Sequence, residues 1–134
     1  MIIELAGGVV SNGGQLLLIH RSTPETTHWE LPGGKVEVTR GETSADAVSR
    51  ELYEELGVRV AVGAKLGEQD FSQNGQPYRY QWFGAVILQG SPHPQEAIHD
   101  NWGYFWTKQL RQMDDLSPNM QNLLKKVVDG EVQL

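Results

Sequence analysis

The sequence predicts an α+β domain, an α/β/α sandwich in which helices flank a mixed central β-sheet. Three observations predict it. Strand-like runs lie both before and after one helical segment, a second amphipathic helix closes the chain, and turn signals punctuate the runs. No repeat, low-complexity tract or linker interrupts the 134 residues, so a single domain over residues 1–134 is expected.

Taken in order, residues Ile2 to Val10 and Gln15 to His20 read as strands, with Asn12-Gly13 a strong hairpin signal between them. A Pro- and Gly-containing loop is expected from Arg21 to about Gly41. A helix follows from about Ser44 to Leu56, capped by Thr43 or Ser44 and ended by Gly57. Ala45, Val48, Leu52 and Leu56 form its apolar stripe. Val58 to Phe71 and Tyr78 to Leu88 should be strands joined at Asn74-Gly75, and Trp102 to Trp106 another. Ser117-Pro118 starts a last helix that buries Leu123, Leu124, Val127 and Val128 and ends at Gly130.

Composition narrows the function. A net charge of −6 argues against a nucleic-acid polymer as partner, because phosphate backbones are held by clustered Lys and Arg. A small phosphorylated substrate remains open if divalent ions stand between it and an acidic site. The chain has no cysteine, which excludes disulfides and thiolate chemistry. No run approaches the ~20 apolar residues of a membrane helix, and the N-terminus lacks the pattern of a secretory signal. No membrane partner and a cytoplasmic location are therefore expected.

The informative segment runs from Gly33-Gly34-Lys35 to Glu42 and on through Arg50-Glu51-Leu52-Tyr53-Glu54-Glu55-Leu56-Gly57-Val58. Glu51, Glu54 and Glu55 stand at i, i+3 and i+4 and so share one helix face. Such like-charge pairs cost roughly 0.2–0.5 kcal/mol each. Anions in the last turn also oppose the helix dipole, at about 0.3–1 kcal/mol each when exposed. Arg50, four positions from Asp46 and from Glu54, offsets part of this. Hard divalent cations, which take carboxylate oxygens, would offset the rest. The plainer reading is a solvated acidic face, and the adjoining Gly-Gly segment weighs against it by letting backbone approach a ligand and expose carbonyls.

Together these residues resemble the Nudix box of the Nudix (MutT-like) hydrolases. In that pattern a glycine, five residues, a glutamate and seven residues precede Arg-Glu-apolar-x-Glu-Glu-x-Gly-apolar. Glu42 and the segment Arg50 to Val58 match it position by position, and Trp29-Glu30-Leu31-Pro32-Gly33-Gly34 resembles the usual lead into the box. Seven residues separate Gly34 from Glu42, and Val38-Thr39-Arg40-Gly41 stands where the family has Pro-Gly. This reads as a two-residue insertion that bears on the reach of both Gly34 and Glu42.

The resemblance implies the Nudix fold and a pyrophosphohydrolase that cleaves the diphosphate linkage of a nucleoside diphosphate joined to another group. A (d)NTP and an ADP-ribose-like nucleotide sugar are both open as substrates. It implies Mg2+ or Mn2+ held by Glu51, Glu54 and Glu55 with the carbonyl of Gly34. Glu51, Glu55 and Arg50 become the catalytic candidates, with Glu51 the proton acceptor from water and with Arg50 and Glu42 orienting the carboxylates. Many members have a further acid on a later loop, for which Glu96 is the first candidate and Asp100 the second. Many are dimers, and a homodimer stays open here. The rival reading is a catalytically inactive nucleotide-binding module on the same fold.

Tyr78, Tyr80 and Trp82 alternate along one strand, and Trp102, Tyr104 and Trp106 along another, so each trio shares a sheet face. Core packing is the first reading for each ring and stacking on a base the second. His20, His28, His93 and His99 show no metal-ligand spacing and receive no chemistry.

Overall fold

A computed structural model describes residues 1–134. Strands β1 (Ile3–Asn12) and β2 (Gln15–Ser22) form the first hairpin, but they pair only beside the turn, at Ser11 with Leu16 and Asn12 with Gln15. Beyond that point they part into two sheets. β1 lies between β4 (Gly33–Lys35), antiparallel to it, and β6 (Gln76–Gln89), parallel to it from Ile3 opposite Tyr78 to Val10 opposite Ala85. β5 (Arg59–Gln73) completes this mixed sheet as the antiparallel partner of β6. β2 carries β3 (Thr27–Glu30) on one edge and β7 (His99–Trp106) on the other, both antiparallel.

Two helices cover the sheets from opposite sides. On β2, Leu17 and Ile19 pack with α1 (Ser44–Leu56), whereas Leu16 and Leu18 belong to the core under α3 (Pro118–Val128). The alternation of the strand thus feeds two cores. A four-residue helix, α2 (Thr107–Leu110), buries Leu110 in the second. No helix is long and apolar enough to cross a membrane.

The expected α1 forms with the expected ends. The Thr43 side chain accepts from the Asp46 N–H, and Gly57 adopts φ +71° while its N–H donates to the carbonyl of Tyr53. Its stripe differs by one position: Ala47 takes the deep place with Val48, Leu52 and Leu56, and Ala45 is only half-buried. Asn74 and Gly75, both at positive φ, turn β5 into β6.

The predicted loop from Arg21 to Gly41 needs correction. It holds β3, β4 and a 3-10 turn at Val38–Arg40. These strands are three and four residues long and owe their pairing to β1 and β2, so no local period marks them. On α3, Met120 and Leu123 go deepest, with Leu124 and Val127 at the edge, and Val128 is exposed because it falls beyond this stripe.

Candidate active site

Helix α1 lies with its C-terminal half against β4, and this contact assembles the site. Gly33 has φ +154° and would place a Cβ 2.2 Å from the carbonyl oxygen of Ala6, so only glycine fits. Its N–H donates to Glu55 Oε1 at 2.7 Å. A Cβ on Gly34 would come within 2.6 Å of Glu51 Oε1. Backbone and carboxylates are therefore pressed together, which two glycines permit.

Arg50 clamps the acids from outside. Its Nη1 donates to Glu51 at 3.0 Å and to Glu54 at 3.2 Å, while Nε and Nη2 hold Glu42 at 2.7 and 3.0 Å. Nη2 also donates to the carbonyl of Lys35 at 3.0 Å. Glu42 reaches Arg50 across the segment read as an insertion, and it accepts the N–H of Glu37 at 2.9 Å. The Arg50 contact holds Glu42 below the usual carboxylate range.

The deeper acids behave differently. Glu55 is 2% exposed, and burial together with the nearby Glu51 pushes its pKa up to about 9 against the opposing Gly33 N–H. Burial also raises Glu51, although Arg50 counters it. Carboxylates held at such cost on one helix face are the donor type that suits a hard divalent cation.

Two residues given no role from the sequence also belong here. Glu30 on β3 is held bidentately by Arg21 at 2.9 and 3.0 Å and by His28 Nε2 at 2.6 Å. Burial opposes its ionisation, but His99, Arg21 and His28 outweigh this and bring its pKa to about 2. His99, at the start of β7, has a side chain with no exposure and lies 3.7 Å from both Glu30 Oε2 and Glu55 Oε2. Glu30 could have been found from its place in the Trp29 to Gly34 segment. His99 could not, because only the pairing of β7 with β2 brings it in.

The two loop acids separate. Glu96 lies 3.8 Å from His99 Nδ1, on the side of the cluster, whereas Asp100 binds His20 Nδ1 at 2.6 Å on the opposite sheet face. The β2–β7 pairing is irregular here, with Arg21 opposite His99 and His20 opposite Asn101, so Asp100 is an extra residue and its carboxylate goes to His20.

Beside the acids lies a cavity of about 750 Å3 whose walls include Glu30, Gly33, Gly34, Phe71, Tyr78 and Asn119. Phe71 and Tyr78 stack with centroids 5.0 Å apart. Of the first aromatic trio, Tyr78 and Tyr80 border the cavity while Trp82 is wholly buried in the core. The second trio stays outside it: Trp102 and Tyr104 pack against the α1 core, and Trp106 is half exposed.

Comparisons with known proteins agree with this geometry. The family model for the NUDIX domain matches residues 4–127. The chain is 45% identical over 99 residues to "Putative 8-oxo-dGTP diphosphatase 2" of Mycobacterium tuberculosis, covering 70% of this chain and 67% of that protein. It is 32% identical to the CTP pyrophosphohydrolase of Escherichia coli over 56% of each chain. A crystal structure of the MutT NUDIX hydrolase from Burkholderia pseudomallei superposes with TM-score 0.82 at 30% identity, over 95% of this chain and 98% of that one. With a glutamate-bearing helix seated on a Gly-Gly strand and a family match over nearly its whole length, the chain belongs to the Nudix family as a MutT-like pyrophosphohydrolase.

Proposed function

We propose that the protein hydrolyses nucleoside triphosphates to the nucleoside monophosphate and pyrophosphate, with oxidised purine nucleotides of the 8-oxo-dGTP kind as its first substrate class. The observation that carries this reading is the position of Glu51 and Glu55 against Gly33 and Gly34, the two glycines that line the 750 Å3 cavity. The naming of the M. tuberculosis relative supports the choice of a triphosphate over a nucleotide sugar.

Glu51, Glu54 and Glu55, with the carbonyl of Gly34, would hold Mg2+ or Mn2+, which neutralises phosphate charge and lowers the pKa of water. Glu51 is half-buried beside the glycine strand and takes the proton from the attacking water. Arg50 keeps Glu51 and Glu54 aligned, and Glu42 keeps Arg50 aligned. Glu55 is fixed by the Gly33 N–H at Oε1, and its Oε2 lies 3.7 Å from His99 Nε2. The cavity offers Phe71 and Tyr78 as apolar surface for a base, and Asn119 at the start of α3 as a polar group on its rim.

The test is a panel of nucleoside triphosphates, 8-oxo-dGTP and ADP-ribose, incubated with Mg2+ while monophosphate, pyrophosphate and phosphate are measured separately. Turnover should be greatest for a triphosphate and yield pyrophosphate. Glu55→Gln should lower kcat by at least about 10²-fold. Undiminished turnover by that variant overturns the site, and nucleotide binding without turnover establishes the inactive-module reading instead.

A further inference from the structure

A histidine buried with both ring nitrogens lacking hydrogen-bond partners is the least explained group in the molecule. His99 is in this position. It is not isolated, since its Nε2 faces two carboxylate oxygens, Oε2 of Glu30 and Oε2 of Glu55, each at 3.7 Å. That spacing is too long for a hydrogen bond, which would draw the atoms to about 2.8–3.0 Å. It is close to the separation of ligand atoms around one ion. Bonds of ~2.1 Å at a tetrahedral angle place two ligand atoms about 3.4 Å apart.

We propose that Glu30, Glu55 and His99 form a binding site for a borderline divalent transition-metal ion, of which Zn2+ is the representative. The three donor atoms lie within 4.8 Å of one another. Both carboxylate ligands are already oriented by a second group, as ligands of such sites are. Oε1 of Glu55 is held by the Gly33 N–H, and Glu30 by Arg21 at both oxygens and by His28 at Oε1, with Oε2 of each acid 3.7 Å from His99 Nε2. The remaining nitrogen, Nδ1 of His99, lies 3.8 Å from Glu96 Oε1 without a hydrogen bond.

Metal selectivity follows from the donors. Mg2+ favours oxygen donors and keeps several waters, whereas an imidazole nitrogen favours Zn2+, Co2+ and similar ions. Glu30, Gly33 and His28 line the 750 Å3 cavity, which gives the ion a route in. Glu55 is shared with the glutamates of α1, while His99 and Glu30 are not, so the two constellations can be separated by mutation. The site does not depend on the identity of the nucleotide.

Co2+ serves as the spectroscopic probe. Added to metal-free protein, it should give the intense visible bands of a four-coordinate site containing nitrogen, and Zn2+ should displace it. Glu30→Gln and His99→Gln should weaken Co2+ binding by at least ~100-fold, and Glu54→Gln should leave the bands unchanged. His99 is wholly buried, so circular dichroism first establishes that each variant is folded. Anomalous scattering from Zn2+-soaked crystals of the unaltered protein locates the ion independently. A weak six-coordinate spectrum, an anomalous peak among Glu51 and Glu54 without His99, or unaltered binding by the folded Glu30→Gln and His99→Gln variants overturns the proposal. Nucleotide turnover with Mg2+ is not among these readouts, so failure here leaves the hydrolase reading standing.

Discussion

At the scale of single residues, two carboxylates a few ångströms apart are driven in opposite directions. Glu55 has a pKa raised from 4.5 to about 9, chiefly by burial, and Glu30 has one lowered from 4.5 to about 2 by the cations and donors around it. An acid raised in the folded state binds more protons folded than unfolded between the two values, so stability falls as pH rises through that window. The lowered acid contributes stability above its unfolded value and loses it as pH falls toward 2. Glu55 therefore destabilises the metal-free protein progressively from about pH 4.5 to 9, and Glu30 does so below about 4.5. Thermal melts in the presence of a chelator should show the alkaline decline, and Glu55→Gln should flatten it. A decline of the same slope in Glu55→Gln would place its cause elsewhere. The glutamate triplet was legible in the sequence because helical spacing is local. The opposing partners of Glu55 and Glu30 were not, because His99 and Arg21 reach them only through strand pairing.

At the scale of elements, the position of the acids is set by how closely α1 approaches β1. Gly8 on β1 would place a Cβ 3.0 Å from Leu52 and 3.1 Å from Val48, so the helix rests on bare backbone there. Leu52 has no exposure and precedes the acids Glu54 and Glu55 in the same helix. Leu52→Ala should cost about 2–5 kcal/mol, the range for removing a buried leucine side chain. Activity should also fall, as α1 shifts on the strand that carries Gly33 and Gly34. Tyr53, half exposed beneath the Arg59 guanidinium, supplies the comparison: Tyr53→Ala should cost no more than about 1 kcal/mol. Chemical denaturation of both variants checks the difference, and equal losses would mean that the α1 contact is not what fixes the helix. Caps, stripe and terminal glycine made both ends of α1 legible, at Ser44 and Leu56. β3 and β4 were hidden for the converse reason, since short strands carry too few residues for a period and take their conformation from distant partners.

At the scale of the whole molecule, the cavity exists because two sheets diverge from one hairpin and α3 closes the gap between them. The closure is tied by backbone: the Trp29 N–H donates to the carbonyl of Asp115 at 2.8 Å, and the Ser117 N–H donates to that of Trp29 at 2.8 Å. These bonds hold the start of α3, with Asn119, opposite the end of the β5–β6 hairpin that carries Phe71 and Tyr78. The acids of α1 and the aromatic pair of the β5–β6 hairpin thus come from different elements and act on different parts of one substrate. Period-two spacing did show that Tyr78, Tyr80 and Trp82 share a face, but not that the core ends between Tyr80 and the cavity rim. If the hairpin end receives the base, Phe71→Ala should raise KM for the preferred triphosphate by roughly 2–10-fold, the scale of an aromatic contact of about 0.5–1.5 kcal/mol. It should leave kcat little changed, because the carboxylates on α1 are untouched. Steady-state kinetics on Phe71→Ala and Glu55→Gln together separate the two roles. A Phe71→Ala enzyme that lost kcat and kept its KM would place the aromatic pair with the chemistry and move the base to another wall of the cavity.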